Sequence, residues 1–385
     1  MIRALALAAA FVVVTTLGPL SDTSVSDLYL YNSVAELIAD GRLPYLDFDF
    51  EYPPLAALPL WLANVPGGGE EGYEIAFGAL MLACALVLQA LTGALAGARA
   101  AWLLVLLPIA LGASMRTHYD LLPAAILAGA LLLFARERPV WAFAVLGLGT
   151  VTKLYPALVV PIAAVWLVAR GEERAALQGV AAFAAVVVAV SLPFLGDGYV
   201  EQVRFHLERP VQIESTPASV LFAVGESGVT GYPIRHDRFK SNGLEGGYDD
   251  EVQIVFAALL AATLLAIVWL AGRGRDVRHL VLCAFAAVLA FVALGKVLSP
   301  QFMVWLAPFA AICAVWRLWW PASLCAGAFA LTLAEFPSRY FDLVREDNGI
   351  VLVVALRNLL LVAALMATLA ALARSTRRAG PARSG

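Results

Sequence analysis

Charge is what this 385-residue chain has least of. Asp, Glu, Lys and Arg make up 14% of it, against 62% hydrophobic residues and a mean hydropathy of +0.83. That balance excludes an ordinary soluble globular domain and describes an integral membrane protein. Lysine is scarcer still: Lys153, Lys240 and Lys296 stand against 23 arginines. The four cysteines, Cys84, Cys283, Cys313 and Cys325, lie singly inside apolar runs, which leaves no CxxC or Cys/His pair. They read as inert packing residues rather than a disulfide framework or a metal site. There is also no Walker loop, no dinucleotide-binding glycine fingerprint, no HExxH and no GxSxG, so nucleotide hydrolysis, metalloprotease and serine-hydrolase chemistry lose their usual support. The net charge of −3 speaks against nucleic-acid binding. Inverted repeats of the kind found in secondary transporters are not evident.

What is present is apolar sequence rich in Ala, Leu and Val, without period-2 alternation. Each segment must therefore satisfy its backbone internally as a helix, and the expected fold class is all-α and polytopic. Apolar windows predict about twelve crossings: 4–20, 74–97, 100–114, 119–134, 140–152, 154–169, 176–195, 251–271, 279–294, 299–316, 321–336 and 349–373. Arg3 followed by about 17 apolar residues resembles a secretory signal, but no A-x-A site follows, so a retained first helix is expected. PPLAALPLWLANVP, 53–66, is too short and proline-rich to cross and is assigned to the membrane surface.

Positive charge then sorts the loops. With the N-terminus cytoplasmic, the inside segments, including a basic tail at 374–385, hold fourteen of the 26 basic residues and only four of the 29 acids. Both termini are expected inside. The outer face is then acidic and aromatic, built from two long loops, 21–73 and 196–250, and the turns RTHYD (116–120), TKLYP (152–156) and GKVLSPQ (295–301).

Ionisable groups near membrane depth are costly to keep and so are functional candidates. On the outer face these are Arg116, His118, Asp120, Lys153 and Lys296. Two lysines and an arginine on one side suit an anion; the plain alternative is snorkelling or local pairing, as between Arg116 and Asp120. In the first loop, residues 27–40 read as an amphipathic helix with Tyr31, Val34 and Ile38 on one stripe. Asp27 falls on that same stripe, while Glu36 and Asp40 point to solvent. Ser24-Val-Ser-Asp27 equally fits a capping box, in which Asp27 would only satisfy a backbone N–H. Gly41 closes the helix, and PYLDFDFEYPP follows as a stiff extended connector with Asp47, Asp49 and Glu51 on one side. Such a trio is able to hold a divalent cation, although a solvated acidic loop is the commoner outcome.

In the second long loop, HLERPVQIESTPAS brings Arg209, Gln212 and Glu214 together, a mix suited to a sugar or a phosphate, or to a docking loop over the membrane face. The stretch SGVTGYPIRHDRFKSNGLEGGYDD is glycine-rich and expected to be mobile.

The order of these pieces is itself informative. A first helix, an external Asp-led helix, G-x-x-P-Y, an aromatic stretch ending in YPP, and then THYDLLPA, TKLYPAL, ERPVQIES and KVLSPQFMVWLAP together resemble the membrane glycosyltransferases of the GT-C fold, specifically glycosyltransferase family 87. That family includes mannosyltransferases that use polyprenyl-phosphate mannose. The resemblance implies a lipid-linked donor entering from the bilayer, transfer to a lipid or glycan acceptor on the outer face of the plasma membrane, and inversion at the anomeric carbon. It maps the catalytic base to Asp27. Donor-phosphate binding falls to Lys153, Lys296, Arg209 and Arg116, and substrate contacts to Tyr52, His118, Asp120, Tyr155, Gln212, Glu214 and Gln301. No metal and no cofactor is expected, because cations stabilise a monophosphate leaving group and the first loop has one acid where other branches have a pair. Two readings from other classes stay open: a transporter or flippase of lipid-linked saccharides, which needs the same anion site, and a non-catalytic envelope scaffold.

Overall fold

The computed structural model describes residues 1–226, 234–236 and 241–378. Every apolar window predicted to cross carries helix. The first is α1 (Ile2–Thr16); α2 (Leu28–Ala39) and α3 (Ala57–Asn64) form the first long loop. The chain continues through α4 (Gly69–Ala96), then α5 (Ala98–Leu103), α6 (Leu107–Leu111) and the single turn α7 (Ser114–Thr117). Next come α8 (Leu121–Ala135), α9 (Pro139–Thr152), α10 (Val159–Ala169) and α11 (Glu173–Ser191). The second long loop contains α12 (Asp197–Glu208) and α13 (Thr216–Glu226), and the bundle ends with α14 (Asp249–Ala271), α15 (Val277–Leu294), α16 (Met303–Val315), α17 (Trp319–Glu335), α18 (Tyr340–Val344) and α19 (Asn348–Arg378). Five of these segments, in α4, α11, α14, α15 and α19, are long and apolar enough to cross a bilayer unaided.

Those five are alike in hydropathy and unlike in position. α15 is 78% buried over its apolar window, with His279 to Phe285 and nearly all that follows closed off on every side, which makes it the centre of the bundle. α11 and α14 are only 17% buried and line the outside. α9 packs closely against α8 and α11, and α17 against α19. Gly179 is what lets α11 approach α9, since a Cβ there would overlap the Phe143 ring.

Three local expectations are corrected. First, the second long loop, read as a ligand-binding or docking stretch followed by a mobile one, also holds regular structure: besides α12 and α13 it forms a small antiparallel sheet of β1 (Val211–Gln212), β2 (Ile234–His236) and β3 (Asn242–Leu244), in the order β1-β3-β2. A separate small core of Val211, Ile213, Leu221, Leu244, Phe336 and Tyr340 lies under it. The expected mobility of 227–250 falls partly outside the described residues. Second, residues 43–48 turn back on themselves instead of running extended. Tyr45 has a φ of 68°, the Leu43 carbonyl accepts from the Asp47 N–H at 2.9 Å, and the Asp47 carboxylate accepts from the Leu43 N–H at 2.7 Å. Asp47 is thus spent on its own turn, and among the described residues no three His, Cys, Asp or Glu side chains gather to hold a metal ion. Third, Asp27 stands at the N-cap of α2 but its side chain makes no capping hydrogen bond.

The other end of α2 follows its sequence. Gly41 adopts φ 82°, its N–H reaches the Ile38 carbonyl at 3.0 Å and the Arg42 N–H reaches Leu37 at 3.1 Å, closing a Schellman motif that only glycine enters without strain. Glu36 and Asp40 keep solvent contact, as the helical stripe predicts.

Candidate active site

The five segments assigned to one face do meet at one end of the bundle. α2, the Tyr52 segment, the turn after α7, the turn after α9, α12 and the turn after α15 are joined by side-chain contacts. The arginine-rich turns collect elsewhere. Arg170 binds Glu137 at 2.8 Å and Glu172 at 2.6 Å, and donates to the Arg275 carbonyl.

Asp27 lies at the rim, with its side chain 34% exposed. One oxygen, Oδ2, accepts from the Tyr31 hydroxyl at 3.2 Å and faces His118 Nε2 at 3.6 Å. The Tyr31 hydroxyl reaches Asp27 because the two are four residues apart on one helical face. Its ring then packs against Tyr52 and Tyr119, at 6.0 and 5.8 Å, and Tyr52 meets Tyr119 edge-on at 5.3 Å. This row of three tyrosines leads from Asp27 to Lys153, whose ammonium sits 4.5 Å from the centre of the Tyr119 ring.

Lys153 is not a free cation. Its Nζ is 2.7 Å from Asp120 Oδ1, which also accepts from the Trp305 indole N–H at 2.7 Å. Asp120 is fully buried, and its other oxygen has no hydrogen-bond partner among the described residues. Trp305 is clamped face to face between Tyr155 at 4.1 Å and Phe302 at 4.0 Å, so the acceptor position of Asp120 is set by packed rings. The expected Arg116–Asp120 pair is not formed. Arg116 instead donates to the Thr15 carbonyl at 3.1 Å and faces Glu74 at 3.8 Å, which removes it from the other candidate phosphate ligands.

Beyond Lys153 the positive groups accumulate. Lys296 donates to the Leu207 carbonyl at 2.7 Å, and burial, then the charge of Arg209, pulls its pKa below the usual lysine range. The Nε of Arg209 is buried without a hydrogen-bond partner among the described residues. His206 Nε2–H donates to the Glu51 carbonyl at 2.9 Å, and its pKa is lowered, first by burial and then by Arg209, Lys153 and Lys296. Four basic side chains therefore converge, with Asp120 balancing the charge of Lys153, an arrangement that attracts an anion.

Gln212 is buried beside this group. Its backbone N–H donates to the Lys296 carbonyl at 2.9 Å, and its amide donates to Ser299 Oγ at 3.2 Å and Glu214 Oε2 at 3.1 Å. Gln301 lies in the 3-10 turn Pro300–Phe302 that leads into α16. Glu214 belongs to a second buried cluster that sequence reasoning missed. Its backbone carbonyl accepts from Arg357 Nη2 at 2.5 Å and Asn358 Nδ2 at 3.2 Å, and burial together with the nearby Glu335 carboxylate pushes its own carboxyl well up. The signal was available: Arg357 and Glu335 are lone charges within apolar helices. Tyr52 was named as a substrate contact, whereas Trp305, Tyr31 and Tyr119 carried no such signal, because aromatic residues in apolar runs are ordinarily core.

The fold and site define a polytopic, predominantly helical membrane protein with a carboxylate and a group of basic side chains brought to one end of its bundle. The profile described as Glycosyltransferase family 87 matches residues 50–300, and the chain belongs to that family. The match begins beyond Asp27. No curated protein matches the chain. Among solved structures, it is similar to ArnT from Cupriavidus metallidurans bound to undecaprenyl phosphate, at 19% identity over 97% of this chain and 76% of that one, with a TM-score of 0.47. It is also similar to the same protein in the apo state, at 16% identity, the same coverage and a TM-score of 0.46.

Proposed function

We propose that this glycosyltransferase moves a hexose, mannose being the first choice, from a polyprenyl-phosphate donor to a lipid or glycan acceptor on the outer face of the plasma membrane, with inversion and with Asp27 as general base. Both termini face the cytoplasm in this reading. The observation that carries it is the placement of the Asp27 carboxylate: it makes no capping bond, accepts from Tyr31, faces His118 at 3.6 Å, and is linked by a row of tyrosines to the cation Lys153.

The chemistry uses both ends of that row. As the acceptor oxygen forms its bond to C1, its O–H breaks and the proton passes to Asp27; the C1–O bond to phosphate breaks and its electron pair leaves with the prenyl phosphate. In this reading Lys296 and Arg209 stabilise the charge that develops there, with Lys153, paired to Asp120, beside them. Tyr31 and Tyr119 are buried and only Tyr52 of the row keeps partial exposure, so the row reads no hydroxyl pattern of a sugar, and mannose rests on family membership alone.

The test is to supply purified protein with polyprenyl-phosphate mannose and native lipid extract, and to follow label into product. Asp27→Asn is expected to bind donor normally and to lose turnover by about two to four orders of magnitude. A flippase would instead carry lipid-linked saccharide at the wild-type rate in that same variant, and transfer by Asp27→Asn at the wild-type rate would overturn the mechanism.

A further inference from the structure

His118 was expected to touch substrate, yet it is only 3% exposed and its ring lies against Phe336, at 6.5 Å between centres. Its polar contacts run the other way. Nδ1 is 2.9 Å from the Thr117 hydroxyl, and Nε2 is 3.6 Å from Asp27 Oδ2.

The Thr117 hydroxyl has one proton and two neighbours, the Ala113 carbonyl at 3.2 Å and His118 Nδ1. If that proton goes to Nδ1, the ring is neutral and its N–H is on Nε2. If it goes to Ala113, the ring hydrogen sits on Nδ1 instead, facing the Thr117 oxygen. The first arrangement is the one that turns an N–H from His118 toward Asp27.

The Tyr31 hydroxyl reaches the same carboxylate oxygen at 3.2 Å. With His118 in the first arrangement, Oδ2 is approached by two donors, while Oδ1 carries no hydrogen bond among the described residues. We infer that His118 is a positioning residue for the transfer reaction: with Tyr31 it pins Oδ2 of Asp27 and leaves Oδ1 as the atom that takes the acceptor proton. The inference rests on the reading of Asp27 as base. It assigns no proton transfer to His118 itself, whose N–H toward Asp27 is retained throughout.

Two substitutions separate the ring nitrogens. His118→Gln returns an N–H donor near the position of Nε2, whereas His118→Asn reaches only the Nδ1 position beside Thr117. With labelled polyprenyl-phosphate mannose as donor, His118→Asn is expected to lower kcat about 10- to 100-fold, the range seen when a group that orients a functional ligand is removed, with donor KM within about twofold. His118→Gln is expected to recover most of that loss, and Thr117→Val to lose a few-fold in kcat. A wild-type kcat for His118→Asn, equal losses in the Asn and Gln variants, or a loss confined to KM would each overturn the positioning role. Asp27→Asn run alongside keeps the two ideas apart: if it is inactive while His118→Asn is normal, only the positioning role fails, and if it transfers at the wild-type rate, the base itself is misassigned.

Discussion

Replacing Asp120 by asparagine keeps the shape of the side chain and removes the charge that balances Lys153. The carboxylate is completely buried and the lysine side chain only 14% exposed, so solvent screens little of what is lost. Stripping one partner from a buried pair costs about 3–5 kcal/mol. Against that, asparagine still offers an oxygen to Lys153 and Trp305, and the ammonium keeps its place over Tyr119, a contact worth about 1–2 kcal/mol in a dry setting. The net expectation for Asp120→Asn is a destabilisation of roughly 2–3 kcal/mol. Lys153→Met strands a carboxylate with the Trp305 N–H as its remaining donor and should cost more, about 3–5 kcal/mol. The double variant strands nothing charged and is expected to fall short of the sum by at least about 2 kcal/mol. The assay is equilibrium unfolding of the four proteins in mixed micelles by added dodecyl sulfate, followed by tryptophan fluorescence. Additivity within about 0.5 kcal/mol would refute the claim that Asp120 and Lys153 act as one unit.

Two further outcomes concern the basic side chains. Lys296→Met should reduce kcat/KM by about 10²-fold and weaken inhibition by free prenyl phosphate, because both departing and bound phosphate lose the same charge; unchanged product inhibition would remove Lys296 from the anion site. His206 is neutral by preference, since burial and the neighbouring cations hold its pKa below the unfolded value of 6.5. Its contribution to stability is complete above pH 6.5 and is lost as pH falls through the lowered folded value, because the unfolded chain then binds the proton more readily. His206→Gln should flatten that acid limb in a melting series, and an unaltered limb would assign it to other groups.

Much of the architecture was legible because membrane helices advertise themselves by uninterrupted hydropathy, and the charge bias of short loops sorted one end of the bundle from the other. Hydropathy does not distinguish α15 at the centre from α14 at the edge, since both are apolar on every side; burial is decided by which helices they meet. Asp27 was legible as an acid on an apolar stripe. The partnership of Asp120 with Lys153 was not, because 33 residues and a full helical hairpin separate them, and the local choice of Arg116 is settled instead by α1 and α4. The turn at 43–48 defeated a period-2 reading: one carboxylate, Asp47, folds the chain onto itself. Arg357 and Glu335 were readable as isolated charges and passed over because they lay in segments treated only as spans.

The fastening of α12 has a consequence for how a substrate reaches the site. Gln202 and His206 both donate to the Glu51 carbonyl, and Lys296 donates to that of Leu207, so one short amphipathic helix is stitched to two separate parts of the chain. Swinging it aside would break all three bonds, at about 1 kcal/mol each, leaving an open population on the order of 1%. A ligand that required this opening would bind about a hundredfold more weakly than its contacts allow. Entry that leaves α12 seated, between helices from the side of the bilayer, escapes that penalty, and the stitching thus acts as a sorting device on the route of approach as well as a brace for the site.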